Sequence, residues 1–175
     1  MIRKATANDL TVVAKMYDDV VLYEKEHTKY TIWQTGVYPT IETAKTAYEA
    51  ESLYVYEEEG EICASVYLDN HQPQEYDSVD WPSKAKENEY LVVVLLCVDP
   101  LKAGRGIGQA MMNFIFEEGK RRNLKAVRLD TAGHNLPAIA LYQKLGFDIV
   151  ARAPIALGGL IEDSGHLFLE KSLQD

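Results

Sequence analysis

The stretch that decides the fold is residues 90–147, YLVVVLLCVDPLKAGRGIGQAMMNFIFEEGKRRNLKAVRLDTAGHNLPAIALYQKLGF. It starts with an apolar run that predicts a buried strand, and the pair Asp99-Pro100 ends this run. A glycine-rich turn, Gly104 to Gly108, then opens an amphipathic helix predicted over 106–123. The next predicted elements are a strand over 125–130 and a helix over 136–145. The stretch therefore alternates strand, helix, strand and helix.

The glycine turn is suited to an anion. Glycines let backbone N–H groups approach an anion closely, and a helix N-terminus adds unpaired donors and a partial positive charge. Arg105 adds a full positive charge in the same loop. No Gly-Lys-Ser/Thr follows, which excludes a P-loop, and the third glycine of a dinucleotide fingerprint is replaced by Gln109 or Met111. Taken alone, the turn also fits an ordinary connection between a strand and a helix.

Motifs on both sides of the turn carry a resemblance to a known family. They are Val98-Asp99-Pro100, Gly104 to Ala110, Asn135, and Ala140 to Phe147, which reads ALYQKLGF. In this order and spacing they resemble the GNAT acyltransferases, the acetyl-CoA-dependent N-acetyltransferase family. The pyrophosphate loop of that family reads Gln/Arg-x-x-Gly-x-Gly/Ala. Its glycines fall on Gly106 and Gly108, whereas Ala103 departs from its first position.

The resemblance implies a fold, a domain and a cofactor. It predicts an α/β (α+β) fold of the GNAT-like acyl-CoA acyltransferase type, with a mixed, mostly antiparallel central sheet flanked by helices. It also predicts a single N-acetyltransferase domain over residues 1–175, with acetyl-CoA as co-substrate and no metal. In the family, the strand that matches residues 95–98 splays from its neighbour and exposes backbone donors for the thioester oxygen. The residues expected to bind the cofactor are Leu96, Cys97, Val98, Ala103, Gly104, Arg105, Gly106, Ile107, Gly108, Gln109, Asn135 and Tyr142.

Acetyl transfer to an amine needs a proton acceptor and a proton donor. A lysine-like amine with a pKa of ~10.4 is unprotonated in about one molecule in 2,500 at pH 7, so a base or water must take its proton. Glu89, just before the apolar strand, is the leading candidate base; Asp99, His134 and a water chain are alternatives. By resemblance, Tyr142 protonates the CoA thiolate, and Asn135 lies near the pantetheine. Tyr142 can instead be a core aromatic, and Asn135 can be a helix N-cap, alone or in addition.

Two segments are candidates for the acceptor pocket. By resemblance, the aromatic loop 30–39 lines this pocket, where Trp33 and Tyr38 shape it or hold a cation on their ring faces. The alternative is that both rings pack between the first two helices. The polar segment 70–89 breaks the rhythm of the elements, and it is either a flap over the pocket or a solvated hairpin extension.

The rest of the chain supplies further elements to the fold. Asn8 or Asp9 is predicted to cap the first helix, which runs to about His27. Gly146 is predicted at the C-terminal end of the last helix. The other predicted elements are a strand over 1–6, a helix over 40–51, a hairpin of 53–57 and 61–69, and final strands over 147–155 and 166–169.

Composition and charge limit the classes of partner that the protein is expected to bind. The net charge of −9 argues against general nucleic-acid binding, which needs a basic patch, and is compatible with a cationic amine acceptor. No apolar stretch is long enough to span a bilayer, and residues 1–9 lack the apolar run of a signal peptide. Cys63 and Cys97 lie in apolar runs and are expected to be buried and reduced. A cytoplasmic protein without a membrane or nucleic-acid partner is therefore predicted.

The sequence leaves the acceptor and two other classes of protein open. Polyamines, amino acids, aminoglycosides, protein N-termini and lysine side chains all fit as acceptors. One alternative is a non-catalytic acetyl-CoA-binding sensor or partner subunit, against which the intact Tyr142 argues. The other is a protein that binds a different nucleotide, which the spacing of Asn135 and Tyr142 disfavours. A homodimer is common in the family.

Overall fold

Residues 1–174, which the computed structural model describes, form a seven-stranded sheet and four α-helices. The strands are β1 Ile2–Lys4, β2 Leu53–Glu58, β3 Glu61–Asp69, β4 Tyr90–Val98, β5 Ala126–Ala132, β6 Asp148–Ile155 and β7 Asp163–Ser172. The helices are α1 Leu10–Glu26, α2 Ile41–Glu49, α3 Ile107–Arg121 and α4 Leu136–Lys144. The strand order is β1-β2-β3-β4-β5-β7-β6. The pairs β1–β2, β2–β3, β5–β7 and β6–β7 are antiparallel and β4–β5 is parallel, which confirms the predicted mixed, mostly antiparallel sheet.

The last strand differs most from its predicted bounds. Residues 166–169, HLFL, predicted a short strand, whereas β7 runs from Asp163 to Ser172. Its polar ends are strand because each pairs with one neighbour: Ser172 faces Ala126 of β5 and Asp163 faces Ile155 of β6. Backbone hydrogen bonds to a neighbouring strand hold such residues regardless of side-chain polarity, and the hydrophobic pattern alone does not predict them.

The start of the first helix confirms one of the two predicted N-caps, Asn8 or Asp9: Asp9 lies at the N-cap position of α1, although its side chain makes no capping hydrogen bond to that helix. A short 3₁₀ turn, Ala7–Asp9, precedes α1, and Thr6 lies at the cap position of that turn. The Asp9 carboxylate accepts hydrogen bonds from the backbone N–H of Thr6 at 2.7 Å and from the Thr6 hydroxyl at 3.1 Å. Asp9 is therefore both the N-cap residue of α1 and the side-chain partner of Thr6 at the cap of the preceding turn. A salt bridge from Arg3 at 2.7 Å lowers the pKa of Asp9 and keeps it ionised.

The chain divides into two compact units. Unit 1 contains residues 1–29, 33–68 and 94–114, and unit 2 contains residues 30–32, 69–93 and the chain from 115 onward. In unit 1, α1 carries apolar residues at helical spacing, and these pack with small residues of α2 against β2 and β4. The buried residues of this core are Val13, Met16, Tyr17, Ala44, Ala47, Leu53, Val55, Leu95 and Cys97.

Unit 2 is organised around a buried arginine on β5, Arg128, which is 1% exposed. Its Nε donates to Glu170 Oε2 at 2.9 Å, its Nη1 to Gln72 Oε1 at 2.8 Å, and its Nη2 to the Ala85 carbonyl at 3.0 Å. A charge so deeply buried is stable only when its donors are satisfied and a counter-charge is present. Glu170 on β7 supplies that counter-charge.

The segment 70–89 is folded onto this arginine. The ring of Trp81 lies 4.6 Å from the Arg128 guanidinium carbon, and the ring of Tyr76 packs edge-on against Phe168 at 5.2 Å. The backbone N–H and the hydroxyl of Ser83 both donate to Glu170 at 2.8 Å. The predicted solvated extension is therefore wrong for this part of the segment, because the apolar area of its aromatic rings is buried on the sheet.

Both cysteines are buried and free, as predicted. Gly146 has a φ of 93° just after α4, which confirms its place at the end of that helix. Among the helices of residues 1–174, none has the length and apolar character that crossing a bilayer requires.

Candidate functional site

The glycine turn of unit 1 has an open outer face. Gly104 and Gly106 both have a φ of 78°, a left-handed conformation that favours glycine. A Cβ atom at either position would have no heavy atom within 4 Å. Ile107 is buried at 4% exposure and fixes the start of α3, and the Ala110 N–H donates to the Gly106 carbonyl at 3.0 Å. The space beside Gly104 and Gly106, at the N-terminus of α3, is therefore open, as an anion site requires.

The positive charges near this turn are paired with carboxylates. The Arg105 guanidinium lies 2.7 Å from Glu58 Oε2, and both side chains are partly exposed. The Lys102 ammonium lies 2.8 Å from Glu61 Oε2, and this pair raises the pKa of the lysine. Ala103 is exposed between them. The charge predicted for Arg105 is therefore present at the turn but is compensated by Glu58.

The end of β4 leads into the turn. Cys97 is buried in the core of unit 1, and burial raises the pKa of its thiol, so this side chain has a structural role. Leu96 and Val98 alternate with it and are only partly buried. The Asp99 carboxylate accepts a hydrogen bond from the Leu101 N–H at 2.9 Å and so caps the short turn before Ala103.

Unit 2 holds Asn135 and Tyr142 on α4. The Asn135 side chain accepts a hydrogen bond from the Ala138 N–H at 3.4 Å, so Asn135 is an N-cap of this helix. Tyr142 is 8% exposed, and its ring packs edge-on against Phe147 at 5.6 Å. Burial raises the pKa of the Tyr142 hydroxyl, and the negative charge of Asp130 raises it further. The phenol is therefore protonated at neutral pH.

Glu89, the predicted base, makes its contacts at the start of β4. Its carboxylate accepts the Lys86 N–H at 2.9 Å and lies 3.0 Å from the Lys125 ammonium. These two interactions lower its pKa, in that order of importance. Lys125 directly precedes β5 and Asp130 is the fifth residue of that strand, so their backbones lie about 16 Å apart along it at ~3.3 Å per residue. Glu89 therefore lies with Lys125, at the far end of β5 from Asp130, the residue that acts on Tyr142.

The two aromatic residues predicted for the acceptor pocket lie in unit 1. Trp33 and Tyr38 are partly buried and pack against the core of that unit. The Trp33 ring meets Tyr17 edge-on, with ring centroids 6.3 Å apart. Residues 34–37 between them are exposed. Both rings therefore pack in the protein interior on one side, which is the alternative to a role in the acceptor pocket. The exposed parts of the Trp33 and Tyr38 rings are available to a ligand.

One polar cluster of unit 2 was missed by the sequence analysis. Asp130, at the end of β5, accepts a hydrogen bond from the Tyr76 hydroxyl at 2.5 Å and lies 3.5 Å from His166 Nε2. His166 Nδ1 lies 2.5 Å from Asp163. The available signal was an acid within the mostly buried strand AVRLDTA, but the partners lie far away in the chain. His134, an alternative base, is exposed, and its charge helps to lower the pKa of Asp163.

Comparison with known proteins agrees with this fold. The sequence model of the "Acetyltransferase (GNAT) family" matches residues 19–147, more than half of the chain. A GNAT-family acetyltransferase from Listeria monocytogenes superposes with a TM-score of 0.76 at 15% identity, over 98% of this chain and 94% of that one. The yncA protein of Salmonella typhimurium, solved with its cofactor acetyl-CoA, gives a TM-score of 0.71 at 20% identity, over 100% and 94%. At these identities the structural likeness concerns the fold.

Curated relatives match shorter segments. An uncharacterized N-acetyltransferase of Methanocaldococcus jannaschii is 36% identical over 69 residues, which are 39% of this chain and 30% of that protein. A mycothiol acetyltransferase of Saccharomonospora viridis is 41% identical over 58 residues, 33% and 19% of the two chains. The match thus spans less than a third of the length of either relative.

The match of the family's sequence model over residues 19–147 defines the class of protein, the acyltransferases. The chain belongs to the GNAT acetyltransferase family, whose members use acetyl-CoA as co-substrate. Within residues 1–174, no group of three or more His, Cys, Asp or Glu side chains is placed to hold a metal ion.

Proposed function

We propose that this protein is an N-acetyltransferase that moves an acetyl group from acetyl-CoA to a primary amine by direct attack in a ternary complex. The observation that carries the proposal is the glycine turn, with two left-handed glycines and open space before α3, inside the segment that matches the family. We further propose one N-acetyltransferase domain over residues 1–175, acting in the cytoplasm.

In this proposal the pyrophosphate of CoA binds the backbone N–H groups of residues 103–109. Their donors and the partial positive charge of the α3 N-terminus supply the attraction, and Arg105 adds to it. The backbone of Leu96, Cys97 and Val98 holds the pantetheine arm and the thioester oxygen, and Asn135 contacts the pantetheine. Donors fixed in advance stabilise the oxyanion at little reorganisation cost.

The ion pair between Arg105 and Glu58 gives a first prediction. Glu58→Gln should free the guanidinium for the pyrophosphate, so the Kd for CoA should fall about two- to fivefold, the size expected for a partly exposed pair. Isothermal titration calorimetry at low and high salt measures this. The gain should vanish at high salt, because exposed charges are screened there. Equal affinity of parent and variant at low salt would show that Arg105 does not meet the cofactor.

Tyr142 is proposed to protonate the departing CoA thiolate. Its buried phenol retains its proton at neutral pH, as a general acid must. Tyr142→Phe keeps the ring that packs on Phe147 and removes only the hydroxyl. We expect kcat to fall by about a hundredfold, with little change in acetyl-CoA affinity or stability. Steady-state kinetics under chemistry-limited conditions measures the loss.

Tyr54→Phe is the matched control for this change. Tyr54 is 6% exposed and packs on Phe114 in unit 1, so its variant also loses one hydroxyl from a buried ring. It should keep the parent's kcat. If Tyr142→Phe also turns over at the parent's rate, Tyr142 serves packing only, and water or another group protonates the thiolate.

The acceptor is proposed to be an amine that meets the exposed faces of Trp33 and Tyr38. An acetyl-transfer screen against polyamines, amino acids, aminoglycosides and peptides, read by CoA release, tests the activity as a whole. Transfer to at least one amine is expected. Tight acetyl-CoA binding with no transfer to any acceptor would favour a sensor or partner subunit instead.

A further inference from the structure

Four ionisable side chains form a line in unit 2 that the proposal above does not use. The Tyr76 hydroxyl donates to Asp130 Oδ2 at 2.5 Å, and Asp130 Oδ1 lies 3.5 Å from His166 Nε2. His166 Nδ1 in turn lies 2.5 Å from Asp163 Oδ2. The line thus begins at Tyr76, passes through Asp130 on β5 and His166 on β7, and ends at Asp163, the first residue of β7. Each contact is a hydrogen bond or an ion pair, so a proton can pass along it when one distance tightens.

The outer end of the line reaches solvent. Asp163 lines an open cavity of about 570 Å³ together with Glu75, Pro154, Ile155, Ala156, Glu162 and Ser164. His166 is 4% exposed, and the side chain of Asp130 is 19% exposed. The buried members can therefore exchange protons with water through Asp163, which is the member at the cavity.

The neighbouring groups determine which members of the line donate a proton and which accept one. When the neutral imidazole of His166 carries its proton on Nδ1 and donates it to Asp163, its Nε2 lone pair faces Asp130 and can accept a proton. Burial opposes ionisation of Asp163, but its hydrogen bonds to His166 and Gly165 and the nearby His134 hold its pKa below the usual value. Burial raises the pKa of Asp130, which the charge of Glu75 assists, while Tyr76 and His166 oppose it. Asp130 is therefore a better proton acceptor than an exposed aspartate.

Resting on the acetyl transfer proposed above, we propose that Asp130 accepts the proton that the acceptor amine loses, and that His166 and Asp163 pass it to the open cavity. Asp130 is the catalytic base, directly or through one water molecule. His166 and Asp163 act through it and are positioning residues. Glu89, held at the other end of β5 by Lys125, has no part in this step.

The protons balance over one turnover. An ammonium acceptor loses two protons as its nitrogen forms the bond to the acetyl carbon and the carbon–sulfur bond breaks. One proton passes through Asp130 and His166 to solvent at the cavity. Tyr142 gives its own proton to the thiolate, and the second proton from nitrogen replaces it. When Asp130 is protonated, its charge no longer opposes ionisation of the Tyr142 phenol, so accepting the first proton makes Tyr142 a stronger acid as the thiolate leaves.

The test compares Asp130→Asn with the parent over a pH series. Asn keeps the shape and still accepts the Tyr76 hydroxyl, but it cannot take a proton. For an alkylamine acceptor found in the screen, kcat/KM should fall by about a hundredfold, and its acidic limb should be lost. In the parent, this limb should lie above the usual aspartate range, because Asp130 must be ionised to act and burial raises its pKa. The Kd for CoA should be unchanged.

An arylamine acceptor, which is already neutral at pH 7, makes the test specific. The defect of Asp130→Asn should shrink to less than about tenfold with this acceptor, because little deprotonation is then needed. A merely structural role would lower activity equally with both amines. His166→Gln should show the same dependence on the acceptor, with a smaller loss. Asp148→Asn, at an exposed position of β6, is the control and should behave as the parent.

The outcomes separate this proposal from the acetyl transfer on which it rests. If the parent transfers acetyl to no amine, the transfer itself is wrong. If the parent transfers acetyl and a folded Asp130→Asn keeps its kcat/KM and pH profile, Asp130 is not the base. Should Asp130→Asn fail to fold, Asp163→Asn at the cavity end of the line decides: an unshifted acidic limb in the pH profile of kcat/KM would overturn the relay.

Discussion

Gly106→Val is expected to abolish detectable CoA binding, raising Kd by more than about a hundredfold. The residue has a φ of 78°, which valine adopts only at a cost of about 1–2 kcal/mol or more. A Cβ there meets no atom of the protein within 4 Å, so the side chain would project into the space proposed for the pyrophosphate. The loss therefore comes from the blocked approach of the phosphates and from the altered backbone. Calorimetric titration with CoA measures it.

The control variant Gly60→Val distinguishes a blocked approach of the cofactor from strain in the backbone. Gly60 lies in the turn between β2 and β3, has a φ of 81°, and its Cβ would also have nothing within 4 Å. This variant should lose similar stability, measured by thermal unfolding, but should keep the CoA affinity of the parent. A folded Gly106→Val protein that binds CoA like the parent would rule out the glycine turn as the cofactor site.

Arg128→Met should lower the free energy of unfolding by about 3–5 kcal/mol. Methionine fills a similar volume, but Glu170 would remain buried at 4% exposure without its guanidinium partner, and Gln72 and the Ala85 carbonyl would lose their donors. A buried charge without its partner costs much more than the pair contributes. Urea unfolding followed by circular dichroism gives the value.

Two further variants make this prediction specific. Arg128→Met combined with Glu170→Gln should be more stable than Arg128→Met alone, because the uncompensated charge is gone and the Ser83 contacts can persist. Arg121→Met removes an arginine whose side chain is 69% exposed and should cost less than about 1 kcal/mol. A loss below about 1 kcal/mol for Arg128→Met would mean that the buried cluster does not hold the segment 70–89.

Hydrophobic period and turn residues predicted most of the sheet and helices. The apolar run 90–98 became β4 with the predicted bounds, and Gly104 to Gly106 became the turn before α3, because both signals are local. The family followed from the spacing of motifs, and the match over residues 19–147 confirms it. The N-cap of α1 at Asp9 was predicted, whereas the 3₁₀ turn before it, capped by Thr6, was missed because a turn of three residues shows no hydrophobic period.

The polar contacts inside unit 2 could not be predicted from patterns within one segment of the sequence. Arg128 is one of two charged residues in the short strand AVRLDTA, and its partners Gln72, Ala85 and Glu170 lie at least 42 positions away. Pairing across the sheet decides such contacts, and a pattern within one segment does not encode it. The same holds for Asp130, whose contacts with Tyr76 and His166 exist only after β5 and β7 pair.

The placement of the two tryptophans gives the molecule a pair of built-in optical reporters. Trp33 belongs to unit 1 and is partly exposed, whereas Trp81 belongs to unit 2 and is buried beneath the Arg128 guanidinium. Their emission should therefore differ in wavelength, with Trp81 emitting further to the blue. A Trp33→Phe protein fluoresces from unit 2 and a Trp81→Phe protein from unit 1. Melting the two proteins side by side shows whether both units lose their structure in one cooperative step or at separate temperatures.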